Sequence, residues 1–294
     1  MKTLKLTMYC SLIVLVAACS SKTKKTEPQN KTPEPFLEMV WQTDSLMTTS
    51  ESVLYHKESG VIYVANVNES PWEIDHNGFI STIDTSGNIL ELKWVEGMSG
   101  PKGMGIVGDR LFVNDINRVV EIDMKERKIV NEYPVDGKPD LNDLTVSSEG
   151  VVYASGSSSE TIYALQNGNM DAVLVKDLAR LNGLLSAKEG MYYVTSKASE
   201  FGICNLKDGS LNVLTTEIGH GDGIVRLPND DFIVSNWKGE VFYISAKDWS
   251  KKQLLDTREK NINAADIDFI PESNLLLVPT FFNNRVVAYR LKYK

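Results

Sequence analysis

One unit recurs through most of this 294-residue chain, and it constrains the fold more than any other feature. It reads Asn142-Asp143-Leu144-Thr145-Val146 followed by Gly150-Val151-Val152-Tyr153-Ala154-Ser155, then Asn182-Gly183-Leu184-Leu185-Ser186 followed by Gly190-Met191-Tyr192-Tyr193-Val194. A third copy is Asp222-Gly223-Ile224-Val225-Arg226 followed by Asp231-Phe232-Ile233-Val234-Ser235, and the three copies start 40 residues apart. Looser copies begin at Glu51, Lys102 and Ala265, the first lengthened by an insertion around Pro71 to Asn77, which makes six units.

Within a unit, short apolar or alternating runs are separated by Gly, Asn, Asp and Ser. In the copy that starts at Asn142 these runs are 144–147, 151–155, 161–166 and 172–176. Four short strands per repeat and no long amphipathic pattern predict an all-β chain, a six-bladed β-propeller whose blades are four-stranded antiparallel sheets. The last unit supplies runs at 266–269, 275–278 and 285–291 and then stops one strand short. The run Phe36-Leu37-Glu38-Met39-Val40-Trp41 belongs to no unit, so it is expected to close the ring as the outer strand of the sixth blade; left idle, it would expose an apolar edge.

Residues 1–18 have the layout of a secretory signal: Lys2 and Lys5, then the apolar stretch Leu12 to Val16, too short to span a bilayer. The ending Leu15-Val16-Ala17-Ala18-Cys19 resembles the bacterial lipobox, which implies lipidation of Cys19 and attachment through acyl chains. Residues 19–35 carry no apolar side chain beyond proline after Cys19 and read as a tether, leaving 36–294 as the propeller. The expected location is the bacterial cell envelope, on the outer membrane. Loss of Lys2 and Lys5 moves the formal charge from −8 to −10, and so acidic a body argues against nucleic acid as a partner. With Cys10 in the signal and Cys19 lipidated, Cys204 is left without a disulfide partner and is expected to be a buried small apolar residue.

In a propeller, equivalent residues at the start of each innermost strand form a ring around the central channel. Here the ring reads Glu51, Lys102, Asn142, Asn182, Asp222 and Ala265, with Asp266 beside the last. Asn and Asp begin strands for reasons of turn chemistry alone, whereas Glu51 and Lys102 are poor turn formers in the same place. Two carboxylates and two amide oxygens on one axis are hard oxygen ligands of the kind calcium takes. Lys102 stands against a dication there; pointing inward, it would instead neutralise Glu51 or Asp222. His56, His76 and His220 show no zinc-ligand spacing; His220, two residues from Asp222, lies either in a surface loop, the preferred reading, or at the channel mouth, and neither a nucleophile elbow nor a phosphate-binding loop is present. Trp72 and the insertion 66–77 form either a lid over the ring or a solvated loop.

The six units, above all Leu181-Asn182-Gly183-Leu184 and Gly221-Asp222-Gly223-Ile224, resemble the SMP-30/gluconolactonase/LRE-like propellers over nearly all of residues 36–294. That resemblance implies one divalent ion, usually calcium, on Glu51, Asn182 and Asp222, with Asn142 as a substrate-contacting asparagine and Asp222 as general base; Lys102, by its place in the ring, is expected beside the substrate. It also implies a reaction in which the ion polarises a lactone carbonyl while an activated water attacks it. Two positions depart from the pattern. Glu51-Ser52-Val53 stands where many members carry Glu-Gly-Pro, and Asp140 stands where an arginine often precedes the substrate asparagine by two residues. An anion at Asp140 is expected to reject an acidic sugar. The expected function is therefore that of an envelope lipoprotein that hydrolyses or binds a small hydroxylated or lactone-like molecule. The alternative is a non-catalytic propeller that holds a protein or glycan partner.

Overall fold

The computed structural model describes residues 33–294. The signal, Cys19 and nearly all of the tether expected from the sequence lie outside the described residues. No described helix is long and apolar enough to cross a membrane; the helical content of the described residues is a single 3-10 turn at Arg258–Lys260.

Six four-stranded antiparallel sheets follow one another along the chain at 50–98, 101–134, 141–175, 181–216 and 221–256, with the sixth assembled from 268–293 and the strand Pro35–Gln42. The innermost strands of neighbouring blades touch in sequence all the way round, and the sixth returns to the first. This is the closed ring that the repeat predicts. Its closure is the one expected: Pro35–Gln42 pairs antiparallel with Val286–Tyr293, from Pro35 opposite Tyr293 to Gln42 opposite Val287. Beyond that ladder, Glu34 and Lys294 exchange backbone hydrogen bonds of 2.9 and 3.1 Å, which ties the two ends of the body together.

The core is divided among the blade interfaces, because alternate side chains of each strand point at one neighbour or the other. Tyr63, Trp94, Met104 and Val113 fill the first interface, and Val53, Ile62, Ile270 and Leu277 fill the one between the sixth blade and the first. Trp41 of the closing strand joins the latter; its indole donates to the carbonyl of Thr85 at 3.0 Å and lies flat on Gly87, where a Cβ would come within 2.5 Å of the ring. The closing strand therefore bonds to one blade and packs onto the next.

The feature that positions the site is a bulge at the start of five innermost strands. The ladder slips between Ser50 and Ser52, Pro101 and Met104, Leu141 and Leu144, Leu181 and Leu184, and Gly221 and Ile224. The skipped residues are Glu51 alone in the first blade and Lys102, Asn142, Asn182 and Asp222 with their successors in the next four, so the ring residues are released from strand pairing and turned toward the axis. Glycine follows three of them because neighbouring inner strands approach too closely for any side chain. A Cβ on Gly183 would sit 2.0 Å from the carbonyl oxygen of Asp222, and one on Gly103 would sit 2.4 Å from the amide of Leu144. Backbone groups freed by the bulges find side-chain partners one strand out: Ser155 Oγ accepts from Asp143 at 2.9 Å and Ser235 Oγ accepts from Gly223 at 2.8 Å.

Candidate functional site

A cavity of about 370 Å3 opens at the end of the channel where the inner strands begin. Glu51, Lys102, Asn142, Asn182 and Asp222 all line it, so five of the six expected ring positions meet. The sixth does not contribute: Ala265 is fully buried against Val67 and Phe281. Asp266 turns to the opposite end of the channel, where it lines a second cavity with Asp143 and Asp268 and accepts a 2.7 Å hydrogen bond from Ser52 Oγ. One step along an extended strand reverses the side chain, which is why Ala265 and Asp266 part company.

The three expected metal ligands share a property. Glu51 Oε2, Asn182 Oδ1 and Asp222 Oδ2 are buried oxygens without a hydrogen-bond partner, and all three residues line this cavity. Other oxygens without a partner, at Asn66, Asn77, Asn114 and Ser273, belong to residues outside its lining. Asn182 donates from Nδ2 to Asp222 Oδ1 at 3.0 Å, which leaves its carbonyl oxygen, the atom a hard cation takes, as the free end of the amide. Burying an oxygen without a donor costs roughly 1–3 kcal/mol, and three such oxygens in one cavity match the donor set for a divalent ion. Among the described residues no three His, Cys, Asp or Glu side chains form such a group, so the set depends on the amide.

Burial pushes the Glu51 carboxyl well above the ordinary carboxylate range; the Asp222 charge adds to the shift and Lys102 opposes it. Burial also raises Asp222, as does the Asp266 charge, against the Asn182 hydrogen bond and Lys102. Lys102 is 1 % exposed. Burial lowers its ammonium, while Glu51 above all pulls it back up. It forms no salt bridge to Glu51 or Asp222. Its Nζ instead donates to the carbonyls of Pro71 at 2.8 Å and Gly100 at 3.0 Å and sits 4.3 Å from the centre of the Trp72 ring. The alternative of a lysine plug bridged to the carboxylates is therefore not the arrangement present. Lys102 pins the insertion, and Trp72 roofs the cavity. Asn142 turns its Nδ2 to Ser157 Oγ at 3.3 Å.

Several wall residues were not singled out by the sequence. Arg180, Ser196, Trp237, Lys238, Phe281 and Phe282 join the lining; His220 joins it too, at the channel mouth, the less favoured of its two expected places. Arg180 had a legible signal, because it stands two residues before Asn182, the offset at which Asp140 precedes Asn142. Asp140 itself does not line the cavity; its carboxylate accepts from the Ser158 hydroxyl. A cation, Arg180, thus stands at the mouth from the next blade, while the Asp140 charge still acts on Lys102. Cys204 is buried as expected, and burial pushes its thiol up to about 12.

The chain matches no protein-family model and no curated protein. Among solved structures it is similar to a streptogramin B lyase (TM-score 0.66, 14 % identity, 88 % of this chain and 98 % of that one). It is also similar to a gluconolactonase-like protein (0.64, 12 %, 90 % and 94 %) and to a luciferin-regenerating enzyme (0.62, 15 %, 88 % and 95 %). What these share with the chain is the fold, a six-bladed β-propeller. The polar cavity sits at one end of its channel.

Proposed function

We propose that the cavity is a calcium-dependent ligand site on which a small lactone-like or hydroxylated molecule is hydrolysed. The observation that carries this is the convergence of three buried oxygens without partners on the residues expected as ligands, Glu51, Asn182 and Asp222. A divalent ion held there would supply Lewis-acid polarisation of a carbonyl. Around it the chain's own groups divide the work. Asn182 orients the Asp222 carboxylate, and Asp222 acts as the proton acceptor for an attacking water. Asn142 and Lys102 contact the substrate, while Trp72 and the insertion keep water from the bound molecule. The fold hosts a lyase as well as a gluconolactonase-like protein, so this reading rests on the site and not on the neighbours' reactions.

Calcium should raise the unfolding free energy by mass action, by about 2.7 kcal/mol at a hundred times its dissociation constant. Asp222→Asn should abolish that gain and, in chelator, should stabilise the fold, because it removes a buried charge facing Glu51. Thermal unfolding of both proteins with calcium and with EDTA measures both effects. A wild-type melting temperature indifferent to calcium and chelator eliminates the cation and with it the hydrolase, and favours the propeller as a holder of an envelope protein or glycan.

The same reading places the protein on the bacterial outer membrane through a lipidated Cys19, supported by the sequence Leu15 to Cys19. Cys19→Ser should move the protein from the detergent phase to the aqueous phase in a phase-partition assay; unchanged partitioning rejects the anchor.

A further inference from the structure

The mouth of the cavity differs in chemistry from its floor. On the side of the fifth and sixth blades, Trp237 meets Phe281 edge-on at 5.7 Å and Phe282 at 6.0 Å, and the two phenylalanines are 4.8 Å apart. Phe282 is 62 % exposed and, with Trp237 and Phe281, forms one aromatic cluster at the opening. Toward the second and fourth blades, Trp72 lies against Lys102 and 6.0 Å from the guanidinium of Arg180. Aromatic rings thus stand on both flanks of one opening.

Between these rings stand cations without anions. Arg180 and Lys238 line the cavity and contact Trp72 and Trp237, yet neither pairs with a carboxylate among the described residues. Some basic residues elsewhere pair, as Arg258 does with Asp256 and Glu240, and others do not; what sets Arg180 and Lys238 apart is that they stand at the cavity. Unpaired cations beside a cavity are binding groups for an anion, and a guanidinium fits a carboxylate through two hydrogen bonds.

We infer that the mouth selects a ligand that joins a planar apolar ring to a carboxylate or similar anion, the ring resting against Trp72 and the Trp237 cluster and the anion lying on Arg180 and Lys238. This rests on the cavity being the ligand site, and it is independent of the cation.

The test uses the full-length protein in detergent, stripped with EDTA, with tryptophan fluorescence and calorimetry as readouts. The probes are phenylacetate, phenylacetamide, which keeps the ring without the charge, and gluconate, which keeps the charge without the ring. Phenylacetate should bind at least about tenfold tighter than either. Arg180→Gln with Lys238→Gln should abolish its advantage over the amide, and Trp237→Ala should abolish its advantage over gluconate, with melting temperatures near wild type for the charge variant. The absence of any preference for phenylacetate, including failure of all three probes to bind, overturns the inference, as does a preference that survives the charge substitutions. The titrations are repeated with calcium: a preference present in EDTA and a melting temperature blind to calcium would sustain this inference while rejecting the cation, and the reverse pattern would do the opposite.

Discussion

Asn182 and Asp222 are 40 residues apart in sequence and 3.0 Å apart at the site, because the repeat brings each ring residue to the same height on adjacent blades. The same geometry stacks a second set of carboxyls at the other end of the channel. Burial raises Asp268 to about 6, against hydrogen bonds from the Tyr55 and Phe269 amides. Burial first and then the Asp268 charge raise Asp266 to about 7, against hydrogen bonds from Ser52 and Asp143. A raised carboxyl favours the folded state while it holds its proton. That contribution is complete below the unfolded value of 3.8 and is lost as pH rises through the folded value. The surface carboxyls that hydrogen bonds hold down, such as Asp84 and Asp123, act in the opposite sense and only in more acid solution. Asp143, Glu51 and Asp222, which burial also raises, act in the same direction as this pair, so the EDTA-treated protein should melt at lower temperature as pH rises between about pH 5 and pH 8, and Asp268→Asn should flatten the part of the fall centred near 6. A wild-type melting temperature that rises across this window contradicts the assignment.

At the scale of an element, the innermost strand needs both its bulge and its glycine. Gly183→Ala would drive a methyl group into the Asp222 carbonyl of the adjoining strand, which is backbone and cannot rotate aside. Overpacking of this kind costs about 1–3 kcal/mol, read as a lower urea midpoint, and because the carbonyl belongs to a proposed ligand the variant should also lose affinity for calcium. The repeat made the strands legible. In the third blade the expected runs 144–147, 151–155, 161–166 and 172–176 correspond to Leu141–Val146, Val152–Gly156, Thr161–Gln166 and Asn169–Val175. It also made five ring residues legible, because each opens its unit. What it did not reveal is set by contacts between blades. A period places equivalent residues at one height, but it is silent on which loops lean over the opening, so Trp237, Phe281 and Phe282 passed unremarked. The direction of Lys102 was undecided for the same reason, since the carbonyls that hold it belong to Gly100 and to an insertion outside the repeat.

For the whole molecule, stability is concentrated at one seam. Five blades are continuous in the chain, and the sixth is held by the pairing of Pro35–Gln42 with Val286–Tyr293. Removing the chain before residue 43 should cost several kcal/mol relative to a chain that begins at residue 33. Trp41 and Leu37, each half-buried, account for roughly 1–2 kcal/mol apiece, and the bare edge of Val286–Tyr293 adds to the loss. Equal melting temperatures for the two truncations would show that the seam does not hold the ring. The seam also imposes an order in time. Among the described strands the first in the chain has the last as its partner, so Pro35–Gln42 must wait, unpaired, until Val286–Tyr293 is available. Long-range pairing of this kind is slow, and an open edge in the interval is where one molecule can adopt another's strand in place of its own. The interval ends only when Lys294 arrives, and until then the finished blades form an arc and not a ring.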